Sequence, residues 1–558
     1  MERPEDDQVE VVKKLISSLS EEIPCVQNFK GKWSVIKAKL ADLQSQCCDF
    51  SDFPGFFSCA LSAELLNSLS QTLTDAVSLA GKCRDPTLTE GKLKTQSEVD
   101  AISAKLDRHI RDGEVLIRSG VLQDGLFPGP GESMSSKREA VRVESRSLIT
   151  RLQIGNQESK KSAMDSLLRL IQEDDKHVMI AVAQGVVPVL VRLLDSNHLL
   201  DSEMKEKTIS AISRVSMVES SKNVLLAEGV FLLNHLLRVL ESGSGISKEK
   251  ACLTLQSLTF SKENARLVGS RGGISSLLEI CESGTPSSQA LAAGVLRNLA
   301  NFKECKENFM EESAIPVLIR VSSSGTVLAQ ENAIGCLCNL VSDDVNLKLL
   351  VAREGGIECL KTFWDGALVV RSLEVAVEMA ETLASCRSVA EALVSDGFVS
   401  RLVGVLNCGV LGVRIAAAHA VNELGFSPKM RKEMGECGCV SALIGMLEGK
   451  AFEEKEAAVK ALSNLLSCAE NKKIFRKDER GMVSVVQLLD PMQSLDKKYP
   501  VSVLALLVHS KKCRKQMVAA GACGYLKKLV EMDVEGARKL LESLGRSKVW
   551  GVFSRSQK

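Results

Sequence analysis

The stretch AAGVLRNLA, Ala292–Ala300, is the part of the sequence from which the fold can be read. Val295, Leu296 and Leu299 recur at helical spacing and face a core, yet Asn298, only a moderate helix former, sits among them. The same arrangement returns at about 40 to 44 residues, the interval of helical repeats. The returning mark is a small residue ahead of an apolar run: QGVVPVLVRLL at Gly185, EGVFLLNHLLRVL at Gly229, GGISSLLEI at Gly273, SAIPVLIRV at Ala314 and GGIECLKTF at Gly356. It continues at Gly397, Gly438, Gly481 and Gly521.

Each unit reads as a short amphipathic helix, a Gly corner, a second helix, a small polar break and a longer last helix. Two helices meeting at a sharp angle need a residue that tolerates positive φ, which is the task assigned to the Gly. Pro188 and Pro316 fall near the start of the second helix, where a missing N–H costs little. The Asn298 position, followed through the period, gives a column: Arg169, Arg214, Ser257, Asn298, Asn339, Thr382, Glu423, Asn464, Ala505 and Ser543. Apolar neighbours stay in register with it, as in Leu337/Leu340 and Leu462/Leu465. Stacked units bury their apolar faces only against their neighbours, so the expectation is a polar ladder on the open side of the array. That ladder would bind a visiting chain; a merely solvated face is the competing reading. The column begins basic (Arg169, Arg214) and turns acidic at Glu423, so the acidic end of a ligand would favour the N-terminal repeats.

This pattern resembles the armadillo repeat family, three helices per unit, best carried by SSQALAAGVLRNLANFKECKENFMEESAIPVLIRV and AQENAIGCLCNLVSDDVNLKLLVAREGGIECL. The resemblance covers roughly residues 141–547. It implies an all-α chain with a right-handed superhelix (α-solenoid) of about nine to ten repeats over 141–558, closed by a C-terminal cap. In that family the last-helix Asn residues commonly bind the backbone of an extended peptide. The role carries over to Asn298, Asn339 and Asn464, and the rest of the ladder (Arg169, Arg214, Ser257, Thr382, Glu423) lines the same groove. Nuclear-import receptors pair such an Asn with a Trp one turn earlier; here Gly294, Gly335 and Lys460 stand there. No aromatic wall is left to stack on lysine stems.

Residues 1–118 lack the period. Four amphipathic runs, with apolar residues at helical spacing as in Val99, Ile102, Leu106 and Ile110, predict an N-terminal four-helix bundle. DFSDFPGFF, Asp49–Phe57, would join the second and third. LTEGKLKTQSEVDAISAKLD resembles the N-terminal domain of plant armadillo proteins, including plant U-box ubiquitin ligases. Residues 119–140 read as a flexible Gly/Pro/Ser-rich linker, too short to hold a U-box.

Composition narrows the chemistry. Hydrophobic residues make up 45% and aromatics only 4%, which suits tightly packed helices. Lys plus Arg (71) balances Asp plus Glu (70), leaving a net charge of +1 and no global footprint for nucleic acid or an anionic membrane, although a local basic stripe stays open. MERPEDDQVE has no signal-peptide run, so a reducing compartment is expected, cytoplasmic or also nuclear. The 18 Cys then read as small buried hydrophobes. Cys336/Cys338 and Cys437/Cys439 have the wrong spacing for a zinc knuckle, and the six His show no ligand spacing. No P-loop or nucleophile-elbow motif occurs and no apolar run reaches spanning length. The expectation is a non-enzymatic scaffold or adaptor, without metal or cofactor and without stable membrane insertion, whose partners are proteins or extended peptide segments. The alternative is a substrate-recruiting component of a ubiquitin-ligase pathway. KVWGVFSRSQK sets Trp550 and Phe553 beside basic residues, as a capping end or as an anchor.

Overall fold

The computed structural model describes residues 6–53, 56, 59–86, 91–123, 134–195, 201–367 and 369–545. Trp550, Phe553 and the central part of the expected linker lie outside them. The described residues form 33 α-helices and no strand. They divide into two compact units, 1–258 and 259–558.

The first unit opens with four long helices: α1 (Asp6–Glu22), α2 (Lys30–Asp49), α3 (Ala60–Lys82) and α4 (Lys92–Ser119). Their apolar stripes share one core, to which α1 gives Ile16, α2 gives Trp33 and Ile36, α3 gives Leu73 and α4 gives Val99 and Leu106. α1 packs on α3, α2 on α4, and α3 on α4. At the α2–α4 contact, Lys39 Nζ reaches Asp107 Oδ2 at 2.6 Å and Ser103 Oγ at 2.7 Å. α5 (Met134–Ile154) opens inside the expected linker. The Gly/Pro cluster ends at Gly131, and KREA, Lys137–Ala140, is built of good helix formers, so the helix runs further back than the repeat period indicates. α6 (Gln157–Glu173) follows.

Helices then come in threes. The first unit holds two such triplets: α7 (Asp175–Ala183), α8 (Val186–Asp195) and α9 (Ser202–Ser216), then Lys222–Ala227, Gly229–Ser242 and Gly245–Leu258. The second unit consists of seven, from Lys262–Ser270/Gly273–Ser283/Pro286–Ala300 to Lys511–Ala519/Ala522–Glu531/Ala537–Gly545. The corner between the first two helices is sharp: α7 and α8 meet at 80°, and Glu219–Ala227 meets Gly229–Ser242 at 99°. Gly185 turns the first corner with φ +83°. Where the sequence carries a Gly pair, the turn falls one residue earlier than expected. Gly355 has φ +91°, while Gly356 begins the helix so close to Val351 that a Cβ there would lie 2.4 Å from its Cγ1. Gly272 and Gly273 divide the work in the same way. Ahead of Ala314 the corner is made by Ser313 at φ +51°, a residue that pays for this conformation. The Gly481 corner has no positive φ; Asp478 instead caps Glu479–Gln487 by accepting from Arg480 N at 3.0 Å.

The first two last helices of the second unit start on polar caps. Thr285 Oγ1 accepts from Ser288 N at 3.2 Å, and Thr326 Oγ1 from Ala329 N at 3.3 Å. In the second unit each last helix packs on the next, in the order Pro286–Ala300, Val327–Val341, Val370–Ala384, Leu411–Leu424, Phe452–Leu465, Lys498–Leu507. Ala292, Ala293, Val295, Leu296 and Leu299 are fully buried in this stack.

Ser313→Gly should raise stability by about 1 kcal/mol by removing left-handed strain, and Gly355→Ala should lower it by about the same amount. Urea unfolding of the two variants beside the parent chain checks both signs; a destabilised Ser313→Gly would contradict the geometry.

Candidate functional site

The column inferred from the repeat period lies near the C-terminal end of each last helix, where the carbonyls lack an intrahelical donor. In the second unit, Asn301 N turns to Asn298 O at 3.3 Å, and the carbonyl of Arg297 takes its donor from Asn339 Nδ2 of the next triplet at 3.2 Å. Three triplets further along, Asn464 Nδ2 donates to Asn422 O at 2.8 Å. Asn298 Nδ2 donates to Thr259 Oγ1 at 3.1 Å, and Thr382 Oγ1 lies 3.2 Å from Cys338 Sγ. Asn339, Thr382 and Asn464 therefore reach back to the preceding triplet, while Asn298 reaches the residue that opens the second unit. Asn339 and Asn464 complete a neighbour's helix end with one amide N–H, so that N–H is engaged before any ligand arrives. Asn298 is 8% exposed, while Asn339, Thr382 and Asn464 are half-buried.

Other members are placed differently. Glu423 is exposed and its Oε1 accepts from Asn422 Nδ2 at 3.1 Å. Ala505 and Ser543 are half-buried. In the first unit Arg169 is exposed, with Nη2 3.1 Å from Ser166 Oγ. Arg214 is drawn into an ion pair with Asp175 at 2.6 Å, and Ser257 Oγ donates to Thr254 O at 2.8 Å. Exposed charge in the column thus comes from Arg169 and Glu423.

One turn before Asn339, Gly335 has a specific use. A Cβ on it would lie 2.4 Å from Arg297 Nε and 2.6 Å from Cζ, so the guanidinium occupies the space where a side chain would stand. Glu378, on the last helix of the following triplet, is raised above the usual carboxylate range by burial, with Arg297 pulling the other way. Burial also pushes the Cys338 thiol up to about 11 and Cys439 up to about 12, so both stay protonated at neutral pH and are poor ligands or nucleophiles.

The repeat pattern did not reveal several buried polar groups that join triplets. Glu454, 3% exposed, receives Arg414 Nε at 2.7 Å, and the same guanidinium donates to Cys408 O at 2.6 Å. Glu331 takes Ser372 Oγ at 2.5 Å, Asn332 Nδ2 donates to Ala290 O at 2.9 Å, and Asn471 Nδ2 donates to Arg431 O and Leu465 O at 2.7 and 2.9 Å. Asn332 and Asn471 interrupt apolar faces, and that interruption was the available signal. Among the described residues no group of three or more His, Cys, Asp or Glu is placed to hold a metal. Nor is any single described helix long and apolar enough to cross a membrane.

A family model described as a domain of unknown function, DUF7032, matches residues 10–121, the stretch of α1–α4. The chain is similar to U-box domain-containing protein 12 of Arabidopsis thaliana, with 30% identity over 105 residues, 18% of this chain. It spans 15% of the length of that curated relative. The crystal structure of an engineered protein matches with a TM-score of 0.63 at 23% identity, over 72% of this chain and 99% of the other, which is a likeness of fold. A second engineered protein matches over 42% of this chain at 22% identity with a TM-score of 0.40.

Asn339→Ala and Asn464→Ala should each cost about 1 kcal/mol by orphaning a carbonyl of the neighbouring triplet. Faster native-state hydrogen exchange in Pro286–Ala300 for the first and in Leu411–Leu424 for the second is the readout. Glu454→Ala should cost about 3 kcal/mol because it strands Arg414, and pairing it with Arg414→Met should recover most of the loss.

Proposed function

We propose that the chain is a non-enzymatic scaffold, an armadillo-type superhelix preceded by a four-helix bundle, that binds protein segments along the face formed by its last helices. The observation that carries this reading is the uninterrupted packing of last helix on last helix through the second unit, with a polar column held in register across it. Such a face offers one similar subsite per repeat to an extended chain, which sums many weak contacts. Asn339 and Asn464 spend one amide N–H on the neighbouring triplet, so each would meet a ligand with its carbonyl oxygen and its second N–H. Gly335 and the Arg297 guanidinium supply a flat cationic surface in place of an aromatic wall, which favours a segment carrying carboxylates at that position. Partners are proteins or extended peptides, and a cytoplasmic location, with the nucleus as a second compartment, agrees with the many thiols kept reduced.

The similarity to a plant U-box protein supports a second reading, a substrate-recruiting component of a ubiquitin-ligase pathway. On that reading α1–α4 would hold the pathway partner while the repeats hold the client.

Peptides selected on the full chain from a random display library, then measured by fluorescence anisotropy, test the groove. Arg297→Glu and Glu423→Lys should weaken a selected peptide at least tenfold, whereas Lys303→Glu and Lys512→Glu on first helices should leave it unchanged. Equal losses in both sets would overturn the groove. With ubiquitin-activating and conjugating enzymes present, the lone chain should give no conjugates; conjugation by it would overturn the non-enzymatic reading.

A further inference from the structure

Within the first unit a cavity of about 360 Å³ opens between α9 and the Gly229–Ser242 helix, closed at one end by the turn into Gly245–Leu258. His235 lines it and is 3% exposed. Arg238 Nη2 meets His235 Nδ1. A guanidinium can only donate, so Nδ1 is the acceptor and the ring proton sits on Nε2. Burial and the Arg238 charge hold the ring below its usual pKa, which keeps it neutral. Nε2 is buried without a hydrogen-bond partner among the described residues, and Asp195 Oδ1 stands 3.6 Å away, beyond bonding distance. A buried N–H left without an acceptor is costly.

The other lining groups are mostly donors or cations. Lys205 and Arg238 bring positive charge, Arg238 with Asp195 Oδ1 3.8 Å from its Nη2 and open to a closer anion, and Ser202, Ser242, Ser244 and Ser247 bring hydroxyls. The 14-residue helix Gly245–Leu258 begins at the cavity; Ser244 Oγ accepts from Ser247 N at 3.2 Å, and the other N–H groups of the first turn add partial positive charge. Among the described residues no carboxylate lines the space; Glu206 stands beside it, accepting from Ser244 Oγ at 2.6 Å. Leu194, Ile209 and Val239 form an apolar wall.

We propose that this cavity binds a phosphoryl group, carried either by a modified side chain of a protein segment or by a free phosphomonoester. The group has several acceptor oxygens and a double charge, matching two cations, a ring N–H and a hydroxyl cluster. The apolar wall accommodates the carbon that bears the phosphate. The site lies outside the last-helix column and does not depend on that column binding anything.

Phosphorus NMR titration and calorimetry on the full chain test it, with inorganic phosphate, O-phosphoserine, a phosphoserine peptide and its unmodified twin as probes. Saturable binding of the phosphorylated probes is expected, with none for the unmodified peptide. Arg238→Met and Lys205→Met, both at partly exposed positions, should weaken it at least tenfold; Arg320→Met, in the second unit, should not change it. Circular dichroism melts of each variant verify the fold. A peptide bound at least tenfold more tightly than free phosphoserine identifies a modified segment as the source, and equal affinities identify a free phosphomonoester. No saturation by any phosphorylated probe, equal binding of the unmodified peptide, or unchanged affinity in both variants would overturn the assignment.

Discussion

A triplet of helices covers its last helix on one side only, and the other side leaves water by lying against the neighbouring triplet. This constraint explains the residues of the last helices. Ala292, Ala293 and Leu296 on one, and Ala333, Cys336 and Leu337 on the next, are small or slender enough for two helices to approach closely. Burial on that scale is worth roughly 25 cal/mol per Å² of apolar surface, and it accrues at every interface between neighbours. Corners and caps follow as requirements, because a helix can lie on its neighbour only if the chain turns at Gly185 or Gly355 and restarts on Thr285 or Thr326.

Close stacking has a polar side as well. The last carbonyls of a helix are orphaned wherever it ends, and here the ends lie beside the next triplet. Asn339 and Asn464 answer this with amide donors set in the following triplet, while Glu454 and Asn471 satisfy buried polar groups between neighbouring triplets. The asparagines thus hold the stack together and also edge its open face. Substituting them would perturb both the stack and the proposed binding face at once, which is why the test of that face rests on Arg297 and Glu423.

The triplets were legible in the sequence because two periods coincide, helical spacing within an element and a Gly corner repeated along the chain. Position within a corner was less legible: GG at 272–273 and 355–356 does not say which Gly takes the positive φ, and packing against Val351 decides it in the second case. The column was legible as a register but not as a set of free groups, since a sequence records an amide and not the direction it points. Glu331 and Glu454 were not legible at all. Their partners stand about forty residues away, and each carboxylate alone reads as surface. The start of α5 was missed because the repeat period is silent before the first unit it governs.

Contacts confined to adjacent triplets also bear on how such a chain changes over evolutionary time. Excising one whole module brings together two faces that already match the pair they replace, and duplicating one creates an interface of the same kind. A deletion of equal length that begins midway through a helix leaves two half-modules with no mate. Length variation among descendants of this chain is therefore expected in whole modules, with the helical segment before them passed on as a separate block.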